Sequence, residues 1–355
     1  MSRIVQPLAV AFLLGAALML FVWKPWEQGH ADEKPHEQGA FDPDKPAKKE
    51  QFGETRGGAN AAVKEIAFDG DRAMKYLKQL CDLGPRVSGT DGMAKQQELV
   101  VKHFEDLGGK VTKQEFEAKQ DSRRDKVKMT NLTISWFPDR ERRVILSAHY
   151  DTRPMAHEEP NRNDWRKPFV SANDGTSGVA MLMELAHVMK DFPTGVGVDF
   201  VLFDGEEYIF EPTGLGGIRG DRFFIGSDYF ADQYAANKSK LKYRYEAAVL
   251  FDLFAHPGAK FAIEANSWYK AEPLVRQFWQ AAADARAGSF VSALGIEVSD
   301  DHVALNRVGI PAIDIIDFDG YRKHWHKLSD TPEQCDGKQI AEVAKVVTTW
   351  LQGLK

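Results

Sequence analysis

From residue 63 onward, the chain alternates short, wholly apolar runs with longer segments whose apolar positions recur at helical spacing. Residues 71–83 carry a helical stripe that stops at Gly84-Pro85, a normal helix-ending pair. Residues 94–107 repeat the pattern and stop at Gly108-Gly109. Residues 129–136 and 144–148 read as strands joined by the charged turn Asp139-Arg140-Glu141. A strongly apolar helix is predicted over 176–190. Residues 198–203, 247–251 and 310–316 are short aliphatic runs of the kind that fill buried parallel strands. Two amphipathic helices follow, over 272–286 and 340–351. The second places Ile340, Val343, Val347, Trp350 and Leu351 on one stripe. Helices interleaved with short apolar strands predict an α/β fold: a three-layer α/β/α sandwich with a mixed, mostly parallel central sheet. No repeat of 20–50 residues is visible, which excludes a solenoid or propeller.

The first 62 residues follow neither pattern. Residues 8–22 are uninterrupted apolar sequence, with Arg3 before them and Lys24 after. With Ile4, Val5 and Trp23 they approach the roughly 20 residues that cross a bilayer as a helix. Trp23, Pro25 and Trp26 stand where a signal peptide would show a small-residue cleavage site. Residues 1–26 are therefore expected to be a signal anchor, with residues 4–23 in the membrane, or else a cleaved signal peptide. Both place the rest outside the cytoplasm, periplasmic or at the cell surface. Residues 27–62 are polar and rich in Pro, Gly, Lys and Glu, a composition that cannot offset its ordering entropy. They are expected to form a flexible tether, with His30 and His36 solvated within it. Residues 63–355 are then one catalytic domain, and the hydrophobic helix stands outside that fold.

Composition narrows the chemistry. Of 355 residues, 46 are Lys or Arg and 52 are Asp or Glu, a net charge of −6 that lacks the basic excess of a nucleic-acid binder. Two cysteines, Cys81 and Cys335, cannot build a disulfide scaffold or a cysteine zinc finger. No G-x-S-x-G elbow or P-loop occurs, and Gly214-Leu215-Gly216-Gly217 misses the dinucleotide spacing. Arg219-Gly220-Asp221 spells an adhesion tripeptide and is read as a chance match.

In sheets of this kind, ligands bind beyond the carboxyl ends of the strands. His149-Tyr150-Asp151 follows one apolar run, and Asp204-Gly205-Glu206-Glu207 follows another. Asp252 follows a third, and Asp317 then His324-Trp325-His326 a fourth. Asn173-Asp174-Gly175 precedes the helix at 176. Mixed His, Asp and Glu without thiolates is a zinc ligand set, and two facing sets can share a carboxylate between two ions. The Glu206-Glu207 pair suits a division of labour, one carboxylate on the metal and its neighbour moving protons. Any one of these residues alone would be read as a helix cap or a solvated carboxylate. Their joint placement at strand ends is what points to a site.

HYDTRP at 149–154, SANDGTSGVAMLMELA at 171–186, FDGEE at 203–207 and GSDYFA at 226–231 resemble the zinc aminopeptidase superfamily with co-catalytic metals. The resemblance begins at LGPRVSGTDG, 83–92, and runs to the carboxyl end. It implies an α/β/α sandwich around a mixed sheet of the eight-stranded type. SDDHVALNRVGIPAIDIID at 299–317 and HWHKLSD at 324–330 are most similar to its glutaminyl-peptide cyclotransferase branch, in particular the bacterial members.

That branch implies one zinc on Asp174, Glu207 and His326, with Glu206 as proton shuttle and Asp252, Asp300 and Asp301 as its hydrogen-bond network. Trp325 and His302 would meet the substrate. The expected reaction turns an N-terminal glutamine of a peptide or protein into pyroglutamate with loss of ammonia. The aminopeptidase branch implies instead that His149 and Asp252 bind a second zinc with a bridging Asp174, and that Glu206 serves hydrolysis of the first peptide bond. All five ligands are present, so ligand identity leaves both branches open. The loop at 208–224 lacks the tryptophan of the animal cyclases, with Phe210 or Tyr208 as candidate substitutes. A third reading, an inactive tethered binding module, conflicts with the intact ligand and base set. Expected partners are peptides or proteins with a free N-terminus and, through the first segment, a membrane.

Overall fold

The computed structural model describes residues 64, 66–211 and 220–355. The expected anchor, the tether and the glycine cluster at 214–217 lie outside the described residues. No helix among the described residues is long and apolar enough to cross a membrane.

Six strands form the central sheet in the order β1-β2-β4-β3-β5-β8. They are β1 Lys110–Ala118, β2 Val127–Trp136, β3 Arg142–His149, β4 Gly197–Phe203, β5 Arg244–Phe251 and β8 Ala312–Ile315. β1 and β2 pair antiparallel, as do β2 and β4, while β3 runs parallel to β4 and β5, and β5 to β8. The sheet is mixed and mostly parallel, as predicted. The eight-stranded expectation is corrected. β6, Phe261–Ile263, and β7, Phe290–Leu294, pair in parallel with each other as a separate ribbon.

Alternation along the strands divides the core in two. Val144, Leu146 and Ala148 of β3, with Val198, Phe200 and Leu202 of β4, belong to the larger cluster. That cluster takes in α1 Gly70–Cys81, α2 Asp91–Asp106, α3 Thr176–Met189, α5 Ala265–Asp284 and α8 Gly337–Gly353. Ile145, Val201 and Phe203 face the other way, against α4 Ile225–Asn237 and α6 Asp301–Arg307. Period-2 side-chain alternation of this kind is what makes a three-layer sandwich. A bulge in β5, where Arg143 pairs with Tyr245 but Val144 with Ala247, lets Tyr245 and Ala248 share the second face.

The predicted helix at 272–286 proves to be the second part of α5. The backbone breaks at Ala271 (φ −139°) just before Pro273, whose ring disfavours helical geometry in the preceding turn. β1 escaped the sequence pattern because its segment, KVTKQEFEA, buries only Phe116 and is otherwise polar. Such a charged sequence suits an edge strand.

A buried ion pair ties three neighbouring strands. The Arg143 guanidinium on β3 donates to both carboxylate oxygens of Asp199 on β4, at 3.0 and 2.5 Å. Tyr245 of β5 donates to Asp199 Oδ2 at 2.6 Å. Replacing Asp199 with Ala leaves a buried guanidinium without its anion, at a cost of about 3–5 kcal/mol. Urea unfolding should show that loss as a lower midpoint at unchanged slope. An unmoved midpoint would show the pair to be energetically silent.

Candidate active site

Three adjacent parallel strands end at one edge of the sheet and deliver the site. His149 closes β3, Asp252 follows β5, and the turn after β4 presents Glu206 and Glu207. Asp151 fixes that turn, because its two carboxylate oxygens accept the backbone N–H groups of Glu206 and Glu207, each at 3.1 Å. Asp174 sits in the turn before α3. Its loop is held by Asp330, which accepts from the N–H of Asn173 at 2.8 Å and of Asp174 at 3.3 Å. Tyr321 donates to the same Asp330 at 2.6 Å. Asp252 Oδ1 accepts from Gly175 N at 2.9 Å. Gly175 has φ +72°, and a Cβ there would lie 2.4 Å from the His149 ring, so no other residue fits.

His326 is carried by the loop after β8 and lies in the left-handed region at φ +52°. Its Nε2 contacts Glu207 Oε1 and lies 3.7 Å from Asp174 Oδ2. His149 Nε2 lies 3.1 Å from Asp174 Oδ1 and 3.5 Å from Asp252 Oδ1. Two buried triads result, His149–Asp174–Asp252 and Asp174–Glu207–His326, with ligand atoms within 4.8 Å of one another in each. Asp174 belongs to both.

So many carboxylates in one buried place perturb each other. Burial pushes the proton affinity of Asp174 well up, with the charges of Glu207 and Asp252 adding to it and His149 opposing. Glu206 is raised in the same way, by burial first, against the pull of His149. Burial also acts against a proton on His149, but contacts with Asp151, Asp174 and Asp252 outweigh it and hold the ring well above the usual imidazole range. Burial and the nearby Arg153 keep His326 neutral.

Asp300 caps α6 by accepting from Asp301 N at 2.6 Å, and both aspartates are buried. Burial, then neighbouring carboxylates that include Asp252 and Asp151, raises them, Asp301 to about 7. Trp325 is half-buried and stacks on His326, with ring centres 3.8 Å apart, while packing edge-on against Phe318. His302 is fully buried with Nε2 3.2 Å from Glu264 Oε2, and nothing in that placement presents it to a substrate. Two other expectations move away from the centre. Asp317 pairs with His256 at 3.2 Å, and His324 bonds Ser329. Asp204 turns to Ser88 at 2.6 Å and to the N–H of Thr130 at 2.8 Å, with burial and then Asp151 raising it to about 8. The aspartate of the adhesion-like tripeptide, Asp221, is buried and accepts from Ser122, Phe210 and Glu211.

Sequence reading missed Arg153 and His157. The Arg153 guanidinium is buried 3.3 Å from Glu207 Oε1 and lies over the Phe223 ring. His157, from the loop between β3 and α3, lies with its ring centre 4.8 Å from that of His326. HYDTRP contains the first, but no pattern marks either as a neighbour of the ligands.

The donor set fits zinc: oxygen and imidazole ligands, three per ion, with Asp174 Oδ2, Glu207 Oε2 and His149 Nε2 buried and without any hydrogen-bond partner. Comparisons with known proteins agree. The family model described as peptidase family M28 matches residues 131–351. The chain is 56% identical to the glutaminyl cyclase of Fimbriiglobus ruber, covering 83% of this chain and 98% of that one at a TM-score of 0.80. It is 30% identical to a Zn-dependent exopeptidase from Parabacteroides distasonis, covering 81% and 98% at a TM-score of 0.73. It is also 25% identical over 296 residues to the glutaminyl-peptide cyclotransferase of Drosophila melanogaster, 77% of this chain and 78% of that protein.

The charge cluster makes the metal-free chain sensitive to pH. Asp204 and Asp301 titrate at about 8 and about 7 when folded, against about 3.9 unfolded. Stability from these groups is present below their unfolded value and lost as pH rises through the folded ones. The thermal midpoint of the chelator-treated chain should therefore fall between about pH 5.5 and about pH 8. Free zinc about 1,000-fold above Kd should add about 4 kcal/mol. A flat pH profile, or no response to zinc, would contradict this electrostatic account.

Proposed function

The chain belongs to peptidase family M28, and we propose that within it the chain is a zinc-dependent glutaminyl-peptide cyclotransferase, an aminoacyltransferase that converts N-terminal glutamine to pyroglutamate. The observation that carries this is the 56% identity to a bacterial glutaminyl cyclase across nearly all of that enzyme. Its substrates are peptides or proteins with a free N-terminal glutamine.

Asp174, Glu207 and His326 would hold one zinc ion, with Arg153 and Asp151 fixing Glu207 and Asp330 fixing Asp174. When bound, that ion supplies a Lewis acid for the γ-carboxamide oxygen of the substrate glutamine. Glu206 stands beside the ligand cluster, its backbone pinned by Asp151, and its carboxylate is the group available to move protons. It accepts a proton from the α-amine as the amine nitrogen bonds the side-chain carbonyl carbon. It returns the proton to the departing amide nitrogen, which leaves as ammonia. No water is consumed. Asp300 and Asp301, buried beside Asp252, would form the hydrogen-bond network that orients Glu206 and the α-amine. Trp325 would form one wall for the glutamine side chain, and its stack on His326 keeps that wall in register with the ligands.

In the one-ion reading His149 is not a ligand, and its Nε2, 3.1 Å from Asp174 Oδ1 and 3.5 Å from Asp252 Oδ1, orients both carboxylates. The competing reading is a two-zinc aminopeptidase, favoured by the closeness of His149, Asp174 and Asp252. There Glu206 would take its proton from water attacking the first peptide bond.

Residues 1–26 we propose to be the membrane tether or a cleaved signal that puts the catalytic domain outside the cytoplasm. A tethered chain should sediment with membranes through a high-salt wash and be digested by protease added to spheroplasts. Recovery of the whole chain, protected, from the cytosol would overturn this.

Glu206→Gln should keep its zinc and lose about 10²–10⁴-fold in kcat for ammonia release from a Gln-initiated peptide, the usual worth of a positioned acid–base. Zinc content and an ammonia-coupled assay on one preparation check both. Unchanged turnover would remove Glu206 from the mechanism.

A further inference from the structure

A histidine that binds metal through one ring nitrogen almost always donates the other N–H to a carboxylate, carbonyl or water, which sets tautomer and ring angle. His326 directs Nε2 toward Glu207 and Asp174. Its Nδ1 is buried and has no hydrogen-bond partner in any carboxylate or carbonyl. The ring is therefore oriented by its aromatic neighbours, Trp325 on its face and His157 at 4.8 Å with a 45° tilt.

His157 has the complementary defect. Its own Nδ1 is also buried and without a partner, while its Nε2 lies 3.4 Å from Glu158 Oε1. A proton on Nε2, facing that carboxylate, leaves the Nδ1 lone pair free to accept. The backbone already brings the two loops together. Glu158 N donates to His326 O at 3.3 Å, and Glu159 Oε1 accepts from Leu328 N at 2.9 Å. Trp165 and Ala156 close the loop at 155–165 on itself, through Trp165 Nε1 to Glu159 O at 2.8 Å and Ala156 N to Trp165 O at 2.9 Å.

We propose that His157 is a positioning residue for the metal ligand His326: Nδ1–H of His326 donates through one bridging water to Nδ1 of His157, and Glu158 holds His157 in the accepting tautomer. The loop at 155–165 is then part of the zinc centre, supplying the hydrogen-bond acceptor that the ligand's own loop lacks. The inference rests on the zinc site proposed above, and not on which substrate the enzyme takes.

The test compares His157→Phe, which keeps a ring and removes the acceptor, with His157→Asn, whose side-chain carbonyl restores one. Zinc affinity is read by competition with a chromophoric chelator, the visible spectrum is read after cobalt substitution, and the metal-free thermal midpoint reports on folding. His157→Phe should lose about 10–100-fold in zinc affinity and shift the cobalt spectrum. His157→Asn should stay within a few-fold of the unaltered chain on both. Unchanged affinity in His157→Phe would overturn the proposal. So would equal losses in both variants that track a lowered midpoint, since those would mean packing alone. If the unaltered chain takes up no zinc, the metal centre falls and the proposal with it. The predicted affinity pattern in a chain that does not cyclise glutamine would uphold His157 and overturn only the substrate.

Discussion

Everything at the open edge of the sheet follows from one cost: several carboxylates are held out of water within a few ångströms of one another. Two like charges 4 Å apart repel by about 4 kcal/mol at an effective dielectric near 20. Asp174 touches both triads, and Glu206, Glu207 and Asp252 crowd around it. Against them the protein sets the Arg153 guanidinium on Glu207 and the His149 ring between Asp174 and Asp252, whose hold on a proton those carboxylates strengthen. The rest of the charge is left for a divalent ion. A site that is costly when empty binds its metal firmly, because metal binding repays the folding cost of the cluster.

Such a cluster holds its shape only if each carboxylate is anchored from behind. Asp151 grips two consecutive N–H groups after β4, Asp330 grips two before α3, and Asp252 grips Gly175. Ser171, Leu253 and His326, one in each of three converging loops, take positive φ angles that non-glycine residues rarely adopt. Strained backbone of that sort persists where surrounding contacts over-determine it, and it gathers at functional sites. The rigid parallel strands β3, β4 and β5 carry the anchors, and the Arg143–Asp199–Tyr245 staple locks those strands at their other end.

Much of this could be read in the sequence because it depends on local pattern. Strands β3, β4 and β5 are short aliphatic runs that end at His149, Asp204 through Glu207, and Asp252, and Asn173-Asp174-Gly175 precedes the apolar helix α3, so these candidate residues are legible from local pattern. The stripe through Ile340, Val343 and Trp350 specified α8 and its buried face. What escaped depends on tertiary contact. β1 is too polar to look like a strand, and the start of α5 is hidden by the break at Ala271. Asp317 and Asp204 follow apolar runs just as His149 and Asp252 do, yet they turn to His256 and Ser88. Arg153 and His157 gain their meaning only from a loop that folds back over His326.

The same carboxylate beside the same metal can serve intramolecular aminolysis or hydrolysis, and what reaches it decides between them. The most direct measurement incubates the purified chain with a Gln-initiated and a Leu-initiated peptide and follows both by mass. The first should lose the mass of ammonia and the second should remain untouched. Release of free leucine from the second, with the glutamine peptide unchanged, would contradict the proposed cyclisation.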